Sequence, residues 1–166
     1  MNRFVDILNR IRQHANTDWL TPSQQIAYEL LRERLGFLDE VNLWGAHGVG
    51  KTFIGWVLHM QQLAIYAPRL EDVEPVGMVR IVVVDNLNWQ RSAVRATLHR
   101  CREQGYDKVV LITTEPVQEQ IAGVELRLTT DDIQKVAENL RAVGVAPFND
   151  ALQSLWNMVS PLPLND

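Results

Sequence analysis

The 166-residue chain has one cysteine, Cys101, so no intrachain disulfide can form and no structural zinc site made of several cysteines is available. No apolar run approaches the roughly 20 residues that cross a bilayer. The start, Met1-Asn2-Arg3-Phe4-Val5-Asp6, breaks its apolar residues with charge, unlike a secretory leader. A cytoplasmic location with no membrane partner is the expectation. Positive charge is not in excess: the net −4 excludes a globally basic nucleic-acid binder and leaves only a local patch open. There is no internal repeat and no low-complexity tract. What remains is an ordinary globular composition, 46% hydrophobic and 22% charged, in a length that suits one domain over 1–166.

Phe4, Ile7, Leu8 and Ile11 recur at helical spacing, which predicts an amphipathic helix over about 3–13 within an N-terminal helical extension, 1–20. Its stripe would dock on the core or on a partner. Thr21-Pro22 opens a second helix, with proline where a missing N–H costs nothing, and Gly36 ends it. Ile26, Leu30 and Leu31 are expected on its buried face. A short strand, Val41–Trp44, leads through a glycine-rich turn into a helix from about Gly50 to Tyr66. Residues 67–78, with two prolines, a glycine and three acids, read as a loop. Arg80–Asp85 is a β-branched run of the kind found in the buried centre of a parallel sheet. A helix carrying Val94, Leu98 and Cys101 on one side follows, then a strand at Lys108–Thr113 and a short strand at Val124–Leu128. Thr129-x-x-Asp132 is a capping box ahead of the stripe Ile133, Val136, Ala137, Leu140 and Val143, closed by Gly144. Leu152, Leu155, Trp156 and Val159 suggest a last helix, stopped by Pro161 and Pro163; 130–160 is thus a helical, lid-like part. Alternating strands and helices predict an α/β fold of three layers, a mainly parallel sheet with helices on both faces.

Gly45-Ala46-His47-Gly48-Val49-Gly50-Lys51-Thr52 fits G-x-x-x-x-G-K-[ST] at every fixed position, after a strand and before a helix. Glycines let backbone N–H groups turn inward around phosphates. The helix N-terminus adds partial positive charge, Lys51 reaches the β- and γ-phosphates, and Thr52 offers its hydroxyl to magnesium. His47 lies in the variable part of the loop and has no role of its own. A second acid must support the metal from a neighbouring strand end, and Asp85 is the candidate. Asn86 follows it, where many ATPases of this kind place a water-activating glutamate. An amide can orient water but cannot take its proton. Thr113 and Thr114 end the next strand and are candidate γ-phosphate sensors.

Together these pieces resemble the AAA+ and STAND group of P-loop ATPases. Gly45–Thr52 corresponds to Walker A, Val82–Asp85 to Walker B, Thr113 or Thr114 to sensor 1, and Thr130–Gly144 to the start of the helical lid. The resemblance covers about residues 20–144. It implies ATP and Mg2+ as ligands, with Lys51, Asp85, Asn86 and Thr113 in catalytic positions and Thr52 and Asp85 at the metal. The chain departs from the group in two ways. Only 33 residues separate Lys51 from Asp85, little room for the usual extra strand and helix, and the lid is cut short without a clear sensor 2 arginine. A minimal or reduced member is therefore expected. Leu20-Thr21-Pro22-Ser23-Gln24 is also similar to the helicase Q motif, in which a glutamine amide reads adenine; Gln24 is the corresponding candidate.

Arg91, Arg95 and Arg102 share one helix face opposite the apolar side, a candidate surface for nucleic acid, for a partner's acidic patch, or for a neighbouring subunit's nucleotide. The expected function is an ATP- and magnesium-binding switch or assembly ATPase. It would act with a protein partner or as a homo-oligomer and hydrolyse weakly alone. A DNA-associated ATPase of helicase-loader type and a small-molecule kinase are the alternatives. The guanine-reading pattern N-K-x-D is absent, which favours ATP over GTP.

Overall fold

The computed structural model describes residues 3–147 together with Leu155 and Met158. Helix α1 (Arg3–Gln13) and a 3₁₀ turn lead to α2 (Pro22–Leu35) and β1 (Glu40–Trp44). Then come α3 (Lys51–Met60), β2 (Ile65–Ala67), β3 (Ile81–Val84), α4 (Arg91–Glu103), β4 (Lys108–Thr113), β5 (Ala122–Glu125) and α5 (Thr130–Ala142). The five strands form one sheet in the order β2-β3-β4-β1-β5, with every pair parallel.

Side chains alternate across this sheet as the pleat demands. Val41, Leu43, Val83, Val110 and Ile112 pack against Leu31 of α2 and against Ile54, Val57 and Leu58 of α3. Val82, Val84, Val109 and Leu111 pack against Val94 and Cys101 of α4. Both faces are apolar and covered, the condition under which a parallel sheet is stable. A third cluster joins Ile7 and Ile11 of α1 to Ala137 and Leu140 of α5, with Leu155 and Met158. The α1 stripe therefore docks within the chain.

Three expectations are corrected. The helix after the phosphate loop stops at Met60, not near Tyr66. Gln62 takes a left-handed φ of 57°, which ends the helix, and Ile65–Ala67 leave it to pair with Val82–Val84 as the sheet edge. The extra strand between Lys51 and Asp85 is thus present, at three residues, and a 3₁₀ turn at Leu70–Asp72 stands in its connection to β3. On α2, Ile26 and Leu30 are exposed; Ala27, Tyr28, Leu31 and Leu35 face the core, where they pack with the sheet residues Val41, Leu43 and Val124. The last strand begins earlier, at Ala122. The suggested final helix falls, apart from Leu155 and Met158, outside the described residues.

Candidate functional site

The phosphate loop links the end of β1 to α3 over the C-terminal edge of the sheet. Gly45, Gly48 and Gly50 all have positive φ, at 153°, 74° and 93°. A side chain at Gly45 would also strike the Leu126 carbonyl, and one at Gly50 the Gln24 amide. The loop thus needs glycine for conformation and for space. Lys51 is buried and donates to the carbonyls of Gly45 at 2.5 Å and Ala46 at 2.8 Å, folded over the loop it serves. Burial lowers its pKa to about 8, against the opposing pull of the Asp85 charge.

Asp85 lies one residue past β3, and its backbone N–H donates to Ala67 O at 2.9 Å. Its Oδ2 accepts the Thr52 hydroxyl at 2.6 Å, so the two residues expected at the metal meet. Two hard oxygen donors suit Mg2+, which ordinarily completes its shell with phosphate oxygens and water. No group of three or more His, Cys, Asp or Glu residues placed to hold a metal occurs among the described residues. The same Oδ2 accepts the Tyr66 phenol, also at 2.6 Å. No motif marks this residue, and its stretch reads from the sequence as the end of a helix. Its identity as an edge-strand aromatic could have emerged only from the pairing of β2 with β3.

Asn86 has a left-handed φ of 54°, which asparagine tolerates better than most residues. Its side-chain amide donates to Pro68 O at 3.1 Å, so the group expected to orient water is tied to the chain leaving β2. Strand β4 lies between β1 and β3, which puts Thr113 and Thr114 between the loop and Asp85. Thr113 is buried; its hydroxyl accepts from Asn42 Nδ2 at 2.8 Å and donates to Glu115 O at 2.7 Å. Thr114 is half-buried on the cavity wall. Asn42, unremarked in the sequence, is 1% exposed inside β1, with its amide also on Leu111 O at 3.0 Å and its oxygen accepting Val117 N–H at 3.2 Å. It pins the threonine-bearing turn to the sheet.

Gln24 is buried at the start of α2 and borders the cavity. Its Oε1 accepts Thr21 N–H at 3.0 Å in a complete capping box, and its Nε2 donates to Gly50 O at 3.0 Å. Both ends of the amide that would read adenine are thus committed to the backbone. In this arrangement Gln24 clamps α2 to the phosphate loop. Gln24→Ala is expected to cost about 1–3 kcal/mol, from a lost cap and a lost loop bond. That corresponds to a fall of roughly 3–10 °C in a calorimetric melt; an unchanged Tm would refute the clamp. The cap of α5 joins the same corner. Asp132 accepts Thr129 N–H at 2.6 Å and, across the chain, Ser23 N–H at 2.8 Å. Burial pushes its carboxyl up, but the donors of Thr21, Ser23 and Thr129 outweigh that and hold it below the ordinary value.

These residues border one cavity of about 690 Å³. Lys51, Thr52, Asp85 and Thr114 form its polar wall. Leu8, Ile11 and Trp19 from the N-terminal segment and Val136, Asn139 and Leu140 from α5 form an apolar lobe. Asn139 donates to Trp19 O at 2.8 Å and ties the two sides of that lobe together.

The three arginines singled out on α4 are each ion-paired within the chain. Arg91 and Arg95 both pair with Glu119, at 3.4 Å and 2.6 Å, while Arg102 pairs with Glu40 at 3.1 Å at the other end of the helix. No described helix is long and apolar enough to cross a membrane.

No family model matches the chain, and no curated protein matches it. Similar solved structures include AMPPCP-bound DnaA from Aquifex aeolicus, 13% identical with a TM-score of 0.48, over 76% of this chain and 54% of that one. A replication initiator DnaA bound to AMPPCP and single-stranded DNA is 14% identical with a TM-score of 0.47, over 73% and 52%. A RuvB variant from Thermotoga maritima is 17% identical with a TM-score of 0.42, over 75% and 50%. The chain spans about half the length of these structures. By its own strand order, covered parallel sheet and glycine loop at the end of β1, the chain has an α/β fold of the P-loop nucleoside triphosphatase type.

Proposed function

We propose that this protein binds ATP with magnesium as a reduced member of the AAA+ type, and that its nucleotide state governs a protein partner or self-assembly. The observation that carries the reading is the convergence of Lys51, Thr52 and Asp85 on one cavity beneath a glycine loop of positive φ. The loop N–H groups and Lys51 would take the phosphates. Thr52 and Asp85 would hold magnesium, which supplies charge neutralisation on the phosphates. The lobe between Leu8, Ile11 and Trp19 on one side and Val136 and Leu140 on the other suits a flat base. Because α1 and α5 line that lobe and Asp132 ties α5 to α2, base occupancy bears on elements that a partner can reach.

Calorimetric titration of MgATP at pH 7 and pH 9 tests the reading. The free Lys51 amine, with its pKa near 8, is largely protonated at pH 7 and largely neutral at pH 9. A phosphate anion favours the ammonium, so binding is expected to take up a proton above about pH 8. Affinity would be full below that pH and fall by up to about tenfold per unit as pH rises through it. Stability runs the other way. The unfolded lysine keeps its proton to about 10.5, so folding is favoured as pH rises from about 8. A flat affinity profile, with no difference between buffers of unequal ionisation heat, would remove Lys51 from phosphate binding. GTP competing as well as ATP would remove the adenine preference.

A further inference from the structure

Tyr66 lies outside the phosphate loop, yet it is built into the metal side of the site, beside Thr52 and Asp85. Strand β2 places Tyr66 beside Val83 and Ala67 beside Val84, and three successive residues of this edge then hold Asp85 and Asn86. The Tyr66 hydroxyl donates to Asp85 Oδ2, Ala67 O accepts Asp85 N–H, and Pro68 O accepts the Asn86 amide. The ring is fixed in turn by α3. A Cβ at Gly55 would come within 2.9 Å of it, and Trp56 meets it edge-on with centroids 6.4 Å apart. Phenylalanine would fill the same space. The hydroxyl therefore answers to Asp85 and not to packing.

A carboxylate oxygen has two lone-pair sites. Oδ2 of Asp85 spends one on Thr52 and one on Tyr66, while Oδ1 accepts the Asn86 N–H at 2.7 Å. Oδ2 is the oxygen on the Thr52 side, so it faces any cation that the Thr52 oxygen helps to hold. The Thr52 hydrogen bond survives such a cation, because the hydroxyl gives a lone pair to the metal and keeps its hydrogen for Asp85. The phenol does not share this compatibility: it occupies the remaining site on Oδ2, where a hydration water of magnesium would donate. A phenol keeps its hydrogen at neutral pH, so it remains a donor.

We propose that Tyr66 is a positioning residue whose hydroxyl competes with the hydration shell of magnesium for Oδ2 of Asp85, and so sets how strongly nucleotide binding depends on magnesium. The proposal rests on the ATP and magnesium reading above. It assigns Asp85 two states: held by the fixed Tyr66 hydroxyl without the cation, and turned from it toward the magnesium waters in the MgATP complex.

The test compares ATP affinity in excess Mg2+ with affinity in EDTA, for the wild-type chain and Tyr66→Phe, using a fluorescent ATP. Removing the competing donor is expected to raise the ratio of the two affinities about tenfold, the value of one hydrogen bond to a charged group. An unchanged or smaller ratio overturns the proposal; a smaller one makes the phenol a support of the metal seat. A second measurement needs no variant in the complex. The chain has only three tyrosines, Tyr28, Tyr66 and Tyr106, so the 19F spectrum of 3-fluorotyrosine-labelled protein can be assigned by single Tyr→Phe changes. The Tyr66 resonance is expected to shift when Mg2+ is added to the ATP complex and to stay put when Mg2+ is added without nucleotide. A resonance that ignores Mg2+ in the ATP complex overturns the proposal even if Tyr66→Phe folds poorly. Absence of ATP binding by the wild-type chain, in either medium, defeats the nucleotide reading itself and is distinguishable from both outcomes.

Discussion

Lys51→Ala is expected to weaken MgATP binding by roughly 10²–10⁴ while leaving the fold intact. The ammonium now donates to two loop carbonyls, at Gly45 and Ala46, in a position from which it can turn to phosphate oxygens. Hydrogen bonds from a charged donor are worth about 1.5–3 kcal/mol each, and two of them account for a loss of that size. The same residue contributes little to stability at neutral pH. Its pKa near 8 in the folded chain shows that burial opposes the charged form, so removing the amine relieves a cost as well as deleting two bonds. Equilibrium binding of labelled ATP, read beside circular dichroism and a thermal melt, separates the two effects. Retained affinity in a folded Lys51→Ala protein would sink the nucleotide reading. Lost affinity together with a Tm lowered by more than about 5 °C would show that the lysine serves the loop and not only its ligand.

Much of this site is legible in the sequence. The glycine loop is legible because phosphate binding restricts residue type at fixed spacings, and Asp85 because it ends a β-branched run. Strand β4 could be bounded at Lys108–Thr113, since a buried parallel strand is written as one continuous apolar segment. What failed was of another kind. The stretch Ala64–Tyr66 continues an apolar pattern that a helix could also use; only pairing with β3 makes it a strand. Ile26 and Leu30 fit helical spacing with Leu31 as well as Ala27 and Leu35 do, and packing against the sheet decides between them. Gln24 shows the limit most clearly. Its amide fits a detector of a flat base in the sequence, and in the structure a capping box and the Gly50 carbonyl use both of its ends. Polar side chains at helix starts face the backbone before they face a ligand. Tyr66 and Asn42 are silent in the sequence because each acts through a partner more than 15 residues away.

The isolated protein is expected to hydrolyse ATP slowly, on the order of 10⁻³–10⁻² per second, as P-loop proteins do when they lack a completed transition-state clamp. Lys51, Thr52 and Asp85 account for phosphate and metal, but no carboxylate follows Asp85 to take the proton of water. Asn86 is turned to Pro68 O, and Arg91 and Arg95 are both engaged with Glu119. A missing arginine alone is worth roughly 10³–10⁵ in rate. The structure also bears on the obvious repair. Asn86→Glu would place a longer, β-branch-free acid at a left-handed φ of 54°, which glutamate adopts at some cost, and would break the bond to Pro68 that steadies the Asp85 turn. The substitution is therefore expected to leave turnover unchanged or lower it, even though it restores a proton acceptor in sequence. Steady-state phosphate release at saturating MgATP, with Lys51→Ala as the blank, measures both rates. Turnover near about 1 per second by the wild-type chain, in the ordinary enzyme range, would reject a slow switch in favour of an autonomous ATPase. A rise of tenfold or more in Asn86→Glu would show that proton acceptance, and not the absent arginine or the tethered turn, limits the reaction.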